Sequence, residues 1–127
     1  MAVAPFRREV MRYLLFALLV SGCGLDRNIE GKVTIGEGVY GLLVQGCDTS
    51  GCQDQPAGGE HVTVYAASAS SAFASADSDG DGVYQVELPG GDYTLCTYSC
   101  VPISVPGSAT VRYDWTSGPG GGTWQHD

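Results

Sequence analysis

The chain has 127 residues and a formal net charge of −8, from 14 Asp and Glu against six Lys and Arg. That length provides for one domain and no more. The acidity argues against nucleic acid as a partner, because phosphate binding needs clustered Lys and Arg, and it fits solubility and self-repulsion outside the cell.

In chain order, Arg7, Arg8 and Arg12 form a positive region, and Tyr13 to Val20 form an apolar one. The apolar run is shorter than the ~20 residues a membrane span requires. Small residues Ser21 and Gly22 follow, then Cys23. This order is that of a secretory signal ending at a cleavage site. Val20-Ser21-Gly22-Cys23 resembles the lipobox of bacterial lipoproteins, with Val where the commoner pattern has Leu. The resemblance implies that residues 1–22 are removed and that Cys23 becomes the acylated first residue, carrying chains such as palmitate. The membrane is then a partner through that lipid, each buried CH₂ contributing about 0.8 kcal/mol. Gly24 stands where an Asp would resemble an inner-membrane retention signal. The expected location is therefore the bacterial cell envelope, anchored at the outer membrane. An ordinary secretory signal cut near Ser21 is the alternative and would leave Cys23 a free thiol. Removal of residues 1–22 leaves three fixed cations, Arg27, Lys32 and Arg112, against 13 acids.

Four further cysteines remain: Cys47, Cys52, Cys96 and Cys100. An even number in a small exported domain reads as two disulfides. Local bridges, Cys47 to Cys52 and Cys96 to Cys100, are one solution, and the second needs a turn to bring its Cα atoms to about 5.5 Å. Crossed pairing between the clusters is another. A four-thiolate zinc site is a third, against which stand the wide spacings and the oxidising compartment.

Residues 23–38 read as a tether with one short strand at Lys32 to Ile35. From Val39 onward the hydrophobic period is two. Val39–Gln45, His61–Ala66, Ser71–Ala76, Val83–Leu88, Asp92–Thr97, Val101–Val105 and Ala109–Trp115 are the expected strands, separated by Gly, Pro, Asp and Ser. In Val83–Leu88 the residues Tyr84, Val86 and Leu88 share one face. About seven short strands with such turns predict an all-β, antiparallel β-sandwich over residues 39–116. Residues 117–127, rich in glycine, read as a flexible tail.

Three stretches resemble the carboxypeptidase regulatory-like domains: Val39 to Val44, Pro56 to Tyr65, and the run Asp77 to Leu95 with its order of turn, strand, Leu-Pro-Gly-Gly turn and strand. The resemblance covers roughly residues 39–105 and implies a prealbumin-like sandwich that serves as a structural or binding module rather than an enzyme. Related pilin-type sandwiches carry Lys–Asn crosslinks. Here the only lysine, Lys32, and the only asparagine, Asn28, both precede the domain, so no such crosslink is expected.

Asp77, Asp79 and Asp81 place carboxylates at alternate positions, as at the start of a calcium loop. Leu88 stands where such a loop needs its bidentate Glu, so a hairpin turn is the competing account. His61 and His126, the only histidines, have no partner at metal-ligand spacing and are expected to be solvated. The serines between Ala66 and Ala76 form no nucleophile elbow. Trp115, Trp124 and Tyr113 suggest an aromatic patch, set against core packing for Trp115 and an exposed tail for Trp124. The expected function is a non-enzymatic, lipid-anchored envelope module that binds or scaffolds a protein or polysaccharide, without a cofactor. The alternative is a calcium- or polysaccharide-binding, adhesin-like domain.

Overall fold

The computed structural model describes residues 25–47, 51–67, 69–118 and 121–126. Among them are a short 3₁₀ turn, Glu30–Lys32, and nine strands: β1 Gly38–Gln45, β2 Gln55–Pro56, β3 His61–Ala66, β4 Ala72–Asp77, β5 Val83–Glu87, β6 Gly91–Cys96, β7 Cys100–Val105, β8 Thr110–Gly118 and β9 Gly121–His126. They form two sheets. One has the order β2-β1-β8-β9 with β5 also paired to β1, and the other β4-β3-β6-β7. The molecule is an all-β sandwich, as the two-residue period predicts. Every pairing is antiparallel except that of β1 with β8, which runs parallel from Gly38↔Thr110 to Gln45↔Ser117.

Alternation along the strands fills the space between the sheets. β1 and β5 contribute Val39, Leu43, Tyr84 and Val86, β3 and β6 contribute Val62, Val64, Tyr93 and Leu95, and β8 contributes Tyr113 and Trp115, all in one buried cluster. Glycine is required where backbone and ring replace a side chain. A Cβ at Gly41 would collide with the Tyr113 carbonyl, and one at Gly122 would fall inside the Trp115 indole. The Tyr84 hydroxyl, buried beside Gly41, donates to that same Tyr113 carbonyl at 2.5 Å. Burial and the nearby Asp114 carboxylate hold this phenol well above its ordinary value, so it stays a donor.

Two sequence expectations are corrected. Residues 25–37 are not a free tether, and Lys32 to Ile35 is not a strand. The segment lies across the outer face of the first sheet. Ile29, 3% exposed, packs with Leu42, Val44 and Val83, while Leu25 and Tyr40 flank them. Those three strand residues point away from the inter-sheet core and would otherwise face water, which is what drives the segment down. Polar contacts fix its course. Arg112 donates to the Arg27 carbonyl at 2.8 Å and to Glu30 at 2.7 Å, Thr34 N–H donates to Gln85 at 2.8 Å, and Leu88 N–H donates to the Glu37 carbonyl at 3.2 Å. The second correction concerns residues 121–126, which form β9 rather than a flexible tail and pair with β8 from Gly118↔Gly121 to Tyr113↔His126. Trp124 supplies the reason. It stands opposite Trp115 and meets Trp115 and Tyr84 at ring separations of 6.4 and 6.3 Å.

Candidate functional site

The acidic turn between β4 and β5 is closed by its own chain. Asp79 Oδ1 accepts from the backbone N–H groups of Asp81 and Val83 at 2.9 and 3.0 Å. Lys32 reaches over from the docked segment to pair with Asp81 and, at 3.7 Å, with Asp79. Partial burial pushes the Asp79 carboxyl up, but the two N–H donors and the Lys32 ammonium outweigh it and hold the group below its ordinary range. Lys32 is raised in turn, chiefly by its hydrogen bond to Asp81. Asp77 goes elsewhere, its Oδ1 lying 2.7 Å from His61 Nδ1 on an exposed surface. The structure therefore does not bring Asp77, Asp79 and Asp81 around one point. Among the described residues no group of three or more His, Cys, Asp or Glu could hold a metal ion.

The histidines also have neighbours that the sequence reading did not give them. His61 pairs with Asp77 although 63% of its side chain is exposed. His126 stacks on Tyr113 at 4.4 Å. Cys23 lies outside the described residues. The other cysteines are joined locally, Cys47 to Cys52 and Cys96 to Cys100, with Cα separations of 6.0 and 4.1 Å. Cys96 and Cys100 stand directly opposite each other on β6 and β7, so their bridge clamps the base of the hairpin Thr97-Tyr98-Ser99.

That hairpin builds the most distinctive site on the molecule. Tyr98 is 72% exposed, yet two contacts hold its side chain. Its hydroxyl donates to Glu60 Oε2 at 2.7 Å, and its ring lies 5.4 Å from that of Trp115. The next residue, Ser99, is gripped by both tryptophans, its hydroxyl accepting from Trp115 Nε1 at 3.2 Å and its carbonyl from Trp124 Nε1 at 2.9 Å. The hydrogen bond to Glu60 holds the exposed Tyr98 phenol above its ordinary value, as does that carboxylate's charge. Beside Tyr98 is a concavity of about 220 Å³ lined by Gln45, Ala57, Glu60, Tyr98, Trp115 and Ser117. Its lining combines an aromatic face with a carboxylate, an amide and a hydroxyl.

The suggested aromatic patch is thus partly realised. Trp115 and Trp124 come together, Tyr113 turns to His126 instead, and Tyr98 takes its place. Sequence reading passed over Tyr98 because a lone tyrosine between two cysteines carries no periodic signal. Its position between Cys96 and Cys100 in a clamped hairpin was the available clue.

The fold and site define an all-β sandwich with a disulfide-clamped, aromatic-tipped end. Compared with family models, curated proteins and solved structures, the chain matches none of them.

Proposed function

We propose that the chain is a lipid-anchored, non-enzymatic module of the bacterial cell envelope that works by binding, with Cys23 as the acylated residue and the outer membrane as its address. The observation that carries this reading is the run Val20-Ser21-Gly22-Cys23 directly after a basic and then an apolar segment. The two local disulfides support it, because bridges of this kind persist in oxidising compartments. The resemblance to carboxypeptidase regulatory-like domains, with their prealbumin-like sandwich, supports a binding or scaffolding role on the same grounds as before. Its Leu88 to Gly91 stretch leads from β5 in one sheet to the start of β6 in the other, so it is a crossing between sheets rather than a turn between paired strands.

We read the acidic turn as structural rather than as a calcium site. A lysine ammonium already pairs with two of its three carboxylates, and the third is engaged by His61. The test is mass spectrometry of the N-terminal peptide from protein expressed in a bacterial host and recovered from membranes. The expected peptide begins at Cys23 with the mass of its acyl chains, and Cys23→Ser moves the protein to the soluble fraction. An unmodified thiol at position 23 overturns the anchoring.

A further inference from the structure

Tyr98 presents a physical puzzle. Long, exposed side chains normally retain their rotamer freedom, and fixing one costs conformational entropy. Here a clamped hairpin, a carboxylate hydrogen bond and a tryptophan beneath the ring all fix a side chain that is 72% exposed. The exposed face buries little against the domain, so folding alone gives small return for the order imposed on it. Preorganising a recognition surface is what such order achieves.

The surroundings narrow the ligand. Tyr98 and Phe73 are the exposed large hydrophobics among the described residues, and Phe73 stands on β4 in contact with Tyr93, away from the concavity. The apolar area at the site is therefore one ring, far from the roughly 800 Å² per partner of a stable protein interface. Anionic ligands are disfavoured by Glu60 at the rim and by the surplus of acids over cations in the chain. The concavity of about 220 Å³ suits a group the size of a single sugar ring. Its lining matches that chemistry. The aromatic face can cover the C–H side of a pyranose, while Gln45, Ser117 and Glu60 can exchange hydrogen bonds with hydroxyls. Glu60 Oε2 accepts the Tyr98 hydroxyl, which leaves Oε1 for a ligand.

We propose that the concavity formed by Tyr98, Glu60, Gln45 and Ser117 above Trp115 is a binding site for a neutral glycan. This inference deepens the binding role proposed above and rests on it for location only.

The experiment uses the full chain, recovered from membranes in a detergent free of sugar headgroups. It is titrated with chitotetraose, cellotetraose, maltotetraose, xylotetraose and mannotetraose by isothermal calorimetry. Tryptophan emission is followed in parallel, since both tryptophans of the chain hold the hairpin that carries Tyr98. The expected result is saturable binding of at least one oligosaccharide with a matching change in emission. Tyr98→Ala should weaken that binding by about tenfold or more, as truncation of a central aromatic anchor does, with little change in Tm. Glu60→Gln, which keeps the ring and the shape, should weaken it less. No binding to any member of the panel overturns the proposal, as does binding that Tyr98→Ala leaves intact. Equally, Tyr98-dependent binding to phosphatidylcholine vesicles or to a cationic peptide, without sugar binding, assigns the site to another partner and overturns it. The mass of the Cys23 peptide is read from the same sample. A lipidated Cys23 with no sugar binding removes the glycan and leaves the anchored module standing, whereas an unmodified Cys23 with sugar binding does the reverse.

Discussion

Asp79 organises its turn with two kinds of contact that respond differently to acid. Its two backbone N–H donors lie within the turn that carries the chain from β4 in one sheet to β5 in the other, whereas the Lys32 ammonium belongs to a segment 47 positions earlier in the chain. The carboxyl is held below its ordinary 3.8, so it contributes stability that is present above that value and lost as pH falls through the folded value. Lys32 is raised above its ordinary 10.5, so its contribution is present below that value and lost as pH rises past the folded one. Asp79→Asn keeps an oxygen for the two N–H donors and removes only the charge. At neutral pH it should therefore cost about 1 kcal/mol or less, since hydrogen bonds to a charged acceptor are worth more than those to a neutral one. The difference from the natural protein should shrink as pH falls below 3.8 in urea melts run across the acid range. A constant difference down to the lowest pH would mean that charge plays no part in the turn.

At the level of elements, the outcome followed how completely each strand announces its own partner. Val83–Glu87 declares two faces in its alternation, and β5 buries Tyr84 and Val86 inward as that pattern requires. The same residues also explain what stayed hidden. Leu42, Val44 and Val83 lie on outer faces, and period-two reading has no way to say what covers them. The cover comes from Ile29 and Leu25, in a segment whose Gly and charged residues read as a linker. Tyr98 was illegible for a related reason, because its meaning lies in Glu60 and Trp115, 38 and 17 positions away. β9 was masked by its glycines. Gly118 and Gly121 mark the hairpin, but Gly122 is small because the Trp115 indole occupies the space a Cβ would need. A chain ending at Gly118 therefore tests strand against tail. It loses the packing of Trp124 on Trp115 and Tyr84 and one full ladder of β8. Removing a packed tryptophan alone costs about 3–5 kcal/mol, so calorimetry of the shortened chain should show Tm lower by roughly 10 °C or more. An unchanged Tm would restore the tail.

For the whole molecule, the docked segment would decide how the sandwich stands on a membrane once Cys23 carries the proposed lipid. From Leu25 onward the chain is committed to the first sheet, so an acylated Cys23 is separated from the domain by about 7 Å of extended chain. Arg27 pairs with Asp54 at 3.4 Å, and the other oxygen of Asp54 accepts the Cys47 N–H at 3.0 Å. That places the start of the segment at the end of β1 where Gln45 lies, and Gln45 also lines the Tyr98 concavity. The start of the described segment and the aromatic end therefore share one pole of the sandwich, and with the proposed acylation of Cys23 the glycan would be met close to the bilayer. Trp115 and Trp124 at that pole serve as built-in probes. In vesicles carrying nitroxide-labelled headgroups, emission of the lipidated protein should be quenched. Inserting 20 Gly/Ser residues after Gly24 should relieve most of that quenching, because such a linker has a root-mean-square reach of about 25 Å. Segment 25–37 would stay docked in both proteins, so their melting temperatures should agree. Quenching that is weak in the natural protein and unchanged by the insert would show that the aromatic pole faces away from the membrane.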